Sequence, residues 1–184
     1  MKNIFKISAV LFIGISLVVS SCKKEEMLID GCTDISAMNY QDLATNNNGS
    51  CEYAYDIAQG VWNVEAACDD LSISIPFVFD TVVPLNEFFP NSIEIMGEGE
   101  GVVALDVNGS IVLADVANDG KFDIQKGEKI SFDTGLLGVV DVDISGSGNI
   151  ETAMNGDLIL NLTFDFSPLP ATTNVPSCDI EFTK

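Results

Sequence analysis

The sequence contains neither histidine nor arginine, and only eight of its 184 residues are lysine. Histidine is the commonest general base and nitrogen ligand for metals, and arginine is the usual bidentate clamp for phosphate. No nucleophile–base pair, Gly-rich phosphate loop or cluster of metal ligands is recognisable either. We therefore expect a protein that is not an enzyme and that carries no cofactor.

Acidic residues are abundant: 28 of them give the chain a formal net charge of -20. A chain this acidic repels nucleic acid and anionic lipid headgroups. Paired carboxylates could still act as acid and base, but in such a composition most of them are solvated charge. The expected partners exclude nucleic acid, and any membrane contact requires an apolar anchor.

The first 21 residues predict such an anchor. Lys2 and Lys6 precede an uncharged apolar run that ends in small residues, which is the layout of a secretory signal peptide. The end of the run, "LVVSSC", resembles the bacterial lipoprotein cleavage box. The resemblance implies that Cys22 becomes the lipidated first residue of the mature chain. Several acyl chains, at about 0.8 kcal/mol per buried methylene, would hold it at a membrane.

Residues 22–30 are predicted to form a charged tether. Its "KKEE" stretch, Lys23 to Glu26, is similar to the export signal of lipoproteins in one large group of Gram-negative bacteria. That resemblance implies an outer-membrane protein that faces the cell exterior. A solvated tether without any signal explains the same residues.

Residues 31–53 resemble a cysteine-flanked motif of secreted and surface proteins from the same bacterial group. Ile35 stands where that motif usually has proline. A bond between Cys32 and Cys51 is expected outside a reducing compartment, and it would constrain the loop by about 3 kcal/mol. Asp34 and the following asparagines fit either a calcium site or, preferably, an Asn-rich turn. The matching residues are Gly31, Cys32, Thr33, Asp34, Ala37, Asn39, Tyr40, Ala44, Gly49, Ser50 and Cys51.

Residues 58–184 are predicted to form one antiparallel β domain. Apolar and polar residues alternate, and turn signals such as Asn108-Gly109 separate the alternating runs. The pattern predicts a meander of strands near residues 60–67, 73–79, 92–97, 101–107, 110–116, 128–133, 138–153, 157–166 and 178–183.

For the longest hairpin we predict a three-residue loop, Asn155 to Asp157. This register sets Gly146 and Gly148 opposite Phe166 and Phe164, where glycine gives room for a large ring and lets the strand bend. It also places the apolar side chains of both strands on one face. The predicted inward residues are Val140, Val142, Ile144, Ile150, Thr152, Met154, Leu158, Leu160, Leu162, Phe164 and Phe166.

The two remaining cysteines predict how the sheet closes. Cys68 ends the first strand and Cys178 begins the last, each on the apolar face of its strand. A disulfide between them would join the last strand antiparallel to the first.

A closed meander that begins with "GVWNV" resembles the lipocalin-like barrels. Gly60 and Trp62 match the glycine-x-tryptophan motif of that family, in which the tryptophan plugs the barrel floor. The arginine that packs over it in the family has no counterpart in a chain without arginine. The expected fold is therefore a lipocalin-like barrel, and a two-sheet β-sandwich is the alternative.

Two functions follow from the barrel interior. A roomy barrel would bind a small apolar ligand, as the lipocalin resemblance implies. A filled barrel would instead be a non-catalytic module for adhesion or for a protein of the envelope. The candidate ligand lining consists of Trp62, Val142, Ile144, Leu158, Leu160, Leu162 and Phe164.

One stretch, "DVANDGKFD", is similar to part of a calcium loop. Asp115, Asp119 and Asp123 occupy matching positions, but Ala117 and Lys126 stand where ligands belong. We favour a plain hairpin turn here.

Overall fold

The computed structural model describes residues 27–133, 138–167 and 171–184. Cys22, the signal peptide and the first part of the tether lie outside these residues, so the lipoprotein assignment stays a prediction. Among the described residues, no helix is both long and apolar enough to cross a membrane.

Nearly all of the regular structure is β-strand. A short helix, α1 (Ala54–Ala58), precedes the first long strand, and a 3₁₀ turn covers Asn86–Phe88. The strands are β1 (Asp30–Gly31), β2 (Asn46–Asn47), β3 (Gly60–Cys68), β4 (Leu71–Ile75), β5 (Phe79–Val83), β6 (Ser92–Gly99), β7 (Val102–Val107), β8 (Ser110–Val116), β9 (Lys121–Ile124), β10 (Lys129–Asp133), β11 (Val139–Ile150), β12 (Asn155–Phe164), β13 (Thr172–Thr173) and β14 (Ser177–Thr183).

Eight strands form a closed antiparallel barrel in the order β3, β6, β7, β8, β9, β11, β12, β14 and back to β3. Strands β9 and β10 both pair with the same edge of β11. β9 pairs with the second half of β11, and β10 pairs with its first half. The predicted closed antiparallel barrel is confirmed, and the sandwich alternative is wrong. The predicted strand list omits β9, the strand that joins β8 to β11.

The disulfide predicted to close the sheet is present. Cys68 and Cys178 are bonded and lie directly opposite each other in the register of β3 and β14, with Cα atoms 3.9 Å apart. The first and last barrel strands are therefore neighbours, as the cysteine positions predict.

The register predicted for the β11–β12 hairpin is wrong. The turn lies earlier, so Ile150 pairs with Gly156 and Gly148 with Leu158. Thr152 and Met154, predicted to face inward, are exposed in the turn. Because the register differs by an even number of residues, the rest of the predicted face remains correct: every residue from Leu158 to Phe164 that was expected inward is buried.

Local bonds and close packing explain the observed register. The Thr152 hydroxyl accepts hydrogen bonds from the backbone N–H groups of Met154 and Asn155, both at 3.1 Å, which fixes the tight turn. A Cβ atom on Gly148 would overlap the carbonyl oxygen of Asp157 and lie 2.7 Å from the Cα of Leu158. Glycine is therefore needed here because the backbones of β11 and β12 come close together. The prediction that it makes room for a phenylalanine ring is wrong.

Polar contacts and one disulfide organise residues 27–53. The predicted Cys32–Cys51 bond is present. The side chains of Asn47 and Asn48 accept hydrogen bonds from Gly49 N (2.9 Å) and Ser50 N (3.0 Å). The asparagine run is thus a turn stabilised by its own side chains, the interpretation preferred over a calcium site.

This N-terminal segment and α1 cover one end of the barrel, which we call the closed end. Ala54 and Ala58 of the helix are buried in the barrel core, and Met38 of the segment packs against it. The Tyr55 hydroxyl accepts a hydrogen bond from Gly99 N at 2.8 Å. The segment is therefore joined to the barrel by side-chain contacts as well as by the chain.

A small sheet of β13, β4 and β5 adjoins the opposite end, which we call the far end. Its inward residues Leu71, Ile73 and Ile75, with Leu85 of the following loop, are buried in the same apolar cluster as the barrel interior. The predicted single strand at residues 73–79 is in fact the hairpin of β4 and β5.

Candidate functional site: the barrel interior

All seven predicted lining residues face the barrel interior. Trp62 on β3, Val142 and Ile144 on β11, and the four residues of β12 are each less than 9% exposed. The alternation of their strands places them there, because successive side chains point to opposite faces. Their burial does not by itself make a binding site.

The barrel interior contains a cavity of about 30 Å³. Of the predicted lining, Ile144, Leu158 and Leu160 reach this cavity, whereas Trp62, Val142, Leu162 and Phe164 pack elsewhere in the core. The wall is entirely apolar and is made of Val64, Phe89, Pro90, Ile93, Leu105, Val107, Val112, Ile124, Ile130, Ile144, Leu158, Leu160, Ile180 and Phe182.

Most of the lining that the prediction missed lies on strands with the same alternation, such as β7, β8 and β14, so their pattern could have identified it. Phe89 and Pro90 could not be identified in this way. They lie on the loop between the 3₁₀ turn and β6, where no periodic pattern exists. A contact between a loop and a barrel interior has no local sequence signal.

Aromatic rings fill the far end above the cavity. Phe132 contacts Phe88 and Phe89 edge to face, with ring centroids 5.6 and 5.9 Å apart. It also stacks on Phe164 at 6.2 Å, and Phe164 stacks on Phe166 at 6.0 Å. Pairs of this geometry contribute about 0.5–1.5 kcal/mol beyond their buried area. This aromatic cap therefore belongs to the stable core of the domain.

Trp62 lies at the closed end, as the lipocalin resemblance implies. Its indole N–H donates to the carbonyl oxygen of Ala58 at 2.6 Å, and Phe182 contacts its ring edge to face at 6.3 Å. Phe182 in turn lines the cavity, so it separates the indole from the empty space. The tryptophan is therefore a plug below the cavity and not part of its wall.

Lys184 takes the place of the missing arginine over the tryptophan. Its ammonium lies 4.2 Å from the indole centroid and donates to the carbonyl oxygens of Ile57 (2.7 Å) and Gln59 (2.8 Å). Partial burial lowers the pKa of this ammonium group. Lys184 was not predicted because the family motif has arginine at this place, although a lysine can make the same cation–π contact.

Two of the weak calcium candidates, Asp115 and Asp123, lie opposite each other in the β8–β9 pair, but Asp115 and Asp119 have other side-chain partners. Asp115 accepts a bond from the Gln125 amide at 2.8 Å, and Asp119 forms an ion pair with Lys121 at 3.0 Å. This lysine contact lowers the pKa of Asp119. The stretch is the β8–β9 hairpin, as favoured, and no group of three potential metal ligands occurs in the described part of the chain.

Comparison with known protein families and with curated proteins finds no match. Among solved structures, the chain is similar to a redesigned beta barrel, with 5% identity and a TM-score of 0.34 over 72% of this chain and 95% of that one. It is also similar to EF1p2_mFAP2b bound to DFHBI, with 9% identity and a TM-score of 0.36 over 72% and 97%. Likenesses this distant say nothing about function, which must be argued from the geometry.

Proposed function

We propose that the protein is a lipid-anchored, surface-exposed protein of the outer membrane whose barrel is a non-catalytic module for adhesion or for a partner in the envelope. The size of the interior cavity carries this proposal. Sites for small organic ligands usually enclose about 300–1,000 Å³, and an apolar cavity that binds benzene measures about 150 Å³. The cavity here is about 30 Å³, so the interior supports the fold and binding falls to the outer surface.

The anchoring part of the proposal depends on the N-terminal sequence. The apolar leader, Cys22 and the charged tether together fit a lipoprotein. The two disulfides fit an oxidising compartment, because such bonds rarely persist in the cytosol. We expect Cys22→Ser to move the protein from the detergent phase to the aqueous phase in a fractionation. Retention in the detergent phase would contradict lipid anchoring.

A substitution in the cavity wall tests whether the interior is filled. Leu160→Trp adds volume beside the cavity, and overpacking typically costs about 1–3 kcal/mol. The matched control is Ile159→Trp, because Ile159 is the neighbouring residue of β12 on the outer face and is 51% exposed. We expect a thermal melt to show a clear loss for Leu160→Trp and none for the control. Equal melting temperatures would mean that the interior accepts a large group.

A specific observation keeps ligand binding as a second candidate. The cavity wall is wholly apolar, and Phe89 and Pro90 contribute to it from a loop. Rotation of Phe89 away from Phe132 would enlarge the space for a small apolar ligand. In that case an apolar fluorescent probe should bind the parent protein, and Phe89→Ala should bind it more tightly. Absence of probe binding by both proteins would exclude this candidate.

A further inference from the structure

The outer face of the small far-end sheet forms a groove of about 580 Å³. Ile73 and Ile75 of β4 are buried, so Ser72 and Ser74 lie on the outer face of the sheet. Their cross-strand partners on β5 are Val82 and Asp80. Thr173 and Asn174 border the groove from the side of β13. Apolar atoms make up most of the groove surface, and the polar side-chain groups set among them are hydroxyls, one amide and the carboxylate of Asp80.

The groove has little charge, in contrast with the barrel exterior. On the barrel, Asp157, Glu181 and Glu65 lie side by side across three neighbouring strands, so carboxylates face one another directly. Asp80 is the one charged residue among the described residues that line the groove, and its carboxylate accepts a hydrogen bond from the Ser74 hydroxyl at 2.5 Å. A neutral polar ligand meets far less repulsion here than a negatively charged one.

An exposed aromatic ring lies at the end of this sheet. Phe77 is in the turn between β4 and β5, is fully exposed at 110%, and has a φ of 66°. A bulky residue rarely adopts a positive φ, and such strain concentrates at sites of function. The turn follows directly on the Ile75–Phe79 pair, one step beyond Ser74 and Asp80. Phe77 is not part of the groove lining, but its exposed ring is available to an elongated ligand that extends beyond the groove.

We propose that this groove binds a neutral polysaccharide. Sugar hydroxyls both donate and accept hydrogen bonds, which matches the serine and threonine hydroxyls and the carboxylate of Asp80. The apolar face of a sugar ring would pack on Phe77. This inference rests on the proposed function, since it names the partner class of an interaction module whose barrel is filled.

Isothermal titration calorimetry on the full chain in amine-oxide micelles tests the proposal. The probes are maltohexaose, cellohexaose and mannohexaose, with hexagalacturonate as the charged counterpart. Ser72→Asp adds a charge to the groove, and Phe77→Gly removes the ring while tolerating the positive φ. Ser145→Asp is the matched control, because Ser145 is an exposed serine on β11, away from the groove.

We expect at least one neutral hexasaccharide to bind, with affinity at least tenfold lower for Ser72→Asp and for Phe77→Gly and unchanged for Ser145→Asp. Hexagalacturonate should bind more weakly than the neutral probe. The proposal is overturned if no neutral probe binds, if Ser72→Asp binds like the parent, or if hexagalacturonate binds best. It is also overturned if a photo-crosslinker at position 77 captures a protein in cells while no sugar binds. The groove variants do not change the barrel interior. The thermal melts of Leu160→Trp therefore test the proposed function independently of the sugar-binding experiment.

Discussion

The N-terminal segment, residues 27–53, and the barrel are stabilised in different ways. In the segment, the buried hydrophobic residues are Cys32 and Ala37. Hydrogen bonds of Asp34, Asn39 and the asparagine run also stabilise it. The barrel contains one continuous apolar cluster that extends from Ala54 to Phe182. A segment this short cannot bury enough apolar surface to fold by itself, so a covalent bond replaces the core.

The comparison also shows what a disulfide adds in each setting. The Cys32–Cys51 bond closes a small loop with little other support, whereas the Cys68–Cys178 bond reinforces two strands that already pair. Both lower the entropy of the unfolded chain, but the first is needed to form its segment and the second adds to a barrel that has its own core.

The largest effect is expected when the barrel disulfide is removed. In Cys68→Ala with Cys178→Ala, the free energy of unfolding should fall by up to about 4.7 kcal/mol, because the bond closes a loop on the order of 100 residues. Chemical denaturation of parent and variant measures the difference. The barrel should still fold, since its core is intact, and an unfolded variant would mean that the core alone is insufficient.

Removal of the other disulfide should have a local effect. Cys32→Ala with Cys51→Ala loses about 3 kcal/mol of constraint within the segment. Hydrogen exchange should show lost protection in residues 27–53, while the melting temperature of the barrel changes little. A large drop in that melting temperature would show that the segment and the barrel unfold together.

A smaller effect is expected at the closed end. Lys184→Met keeps the aliphatic stem but removes the cation–π contact and two hydrogen bonds, and should cost on the order of 1 kcal/mol. Thermal melts measure the loss, and the emission of Trp62, the single tryptophan of the chain, reports on the environment of the ring. An unchanged melt together with unchanged emission would contradict the role of this lysine.

The smallest effect concerns the titration of Asp34. Hydrogen bonds from Ser36 N and from the Tyr53 hydroxyl, at 2.9 and 2.7 Å, lower the pKa of this carboxyl below its ordinary value of 3.8. Its contribution to stability is therefore present above that value and is lost as the pH falls through the lower folded pKa. Tyr53→Phe should raise the pKa partway, because the bond from Ser36, the larger cause, remains. Carboxyl NMR titration measures both values.

The faces of the strands could be predicted from the sequence, but the register of the long hairpin could not. Alternation with period two assigns a face to Leu158 or Leu160 whichever partner it has, so a register wrong by an even number of residues leaves the faces unchanged. The observed register depends on the Thr152 turn and on the close backbone contact at Gly148. Such a contact is a property of two strands together and cannot be seen in either one.

The pairing of β3 with β14 was predictable because two cysteines marked it. The strand β9 was not, since the four residues Lys121–Ile124 are too short for a clear pattern. The volume of the cavity could not be predicted from the sequence either. It depends on how Phe89, Phe132 and their neighbours pack above the barrel, and sequence alternation describes which way a side chain points and not how much space it fills.

The pairing of β3 with β14 also sets a time order for folding. Cys68 and Cys178 are 110 residues apart, so the barrel cannot close until β14 has been synthesised. Long-range strand pairing of this kind slows folding. Until β14 pairs, the sheet has open edges that can pair with other chains. We therefore expect the barrel to close only after β14 has been synthesised, and the edges of β3 and β12 must not pair with other chains before β14 lies between them.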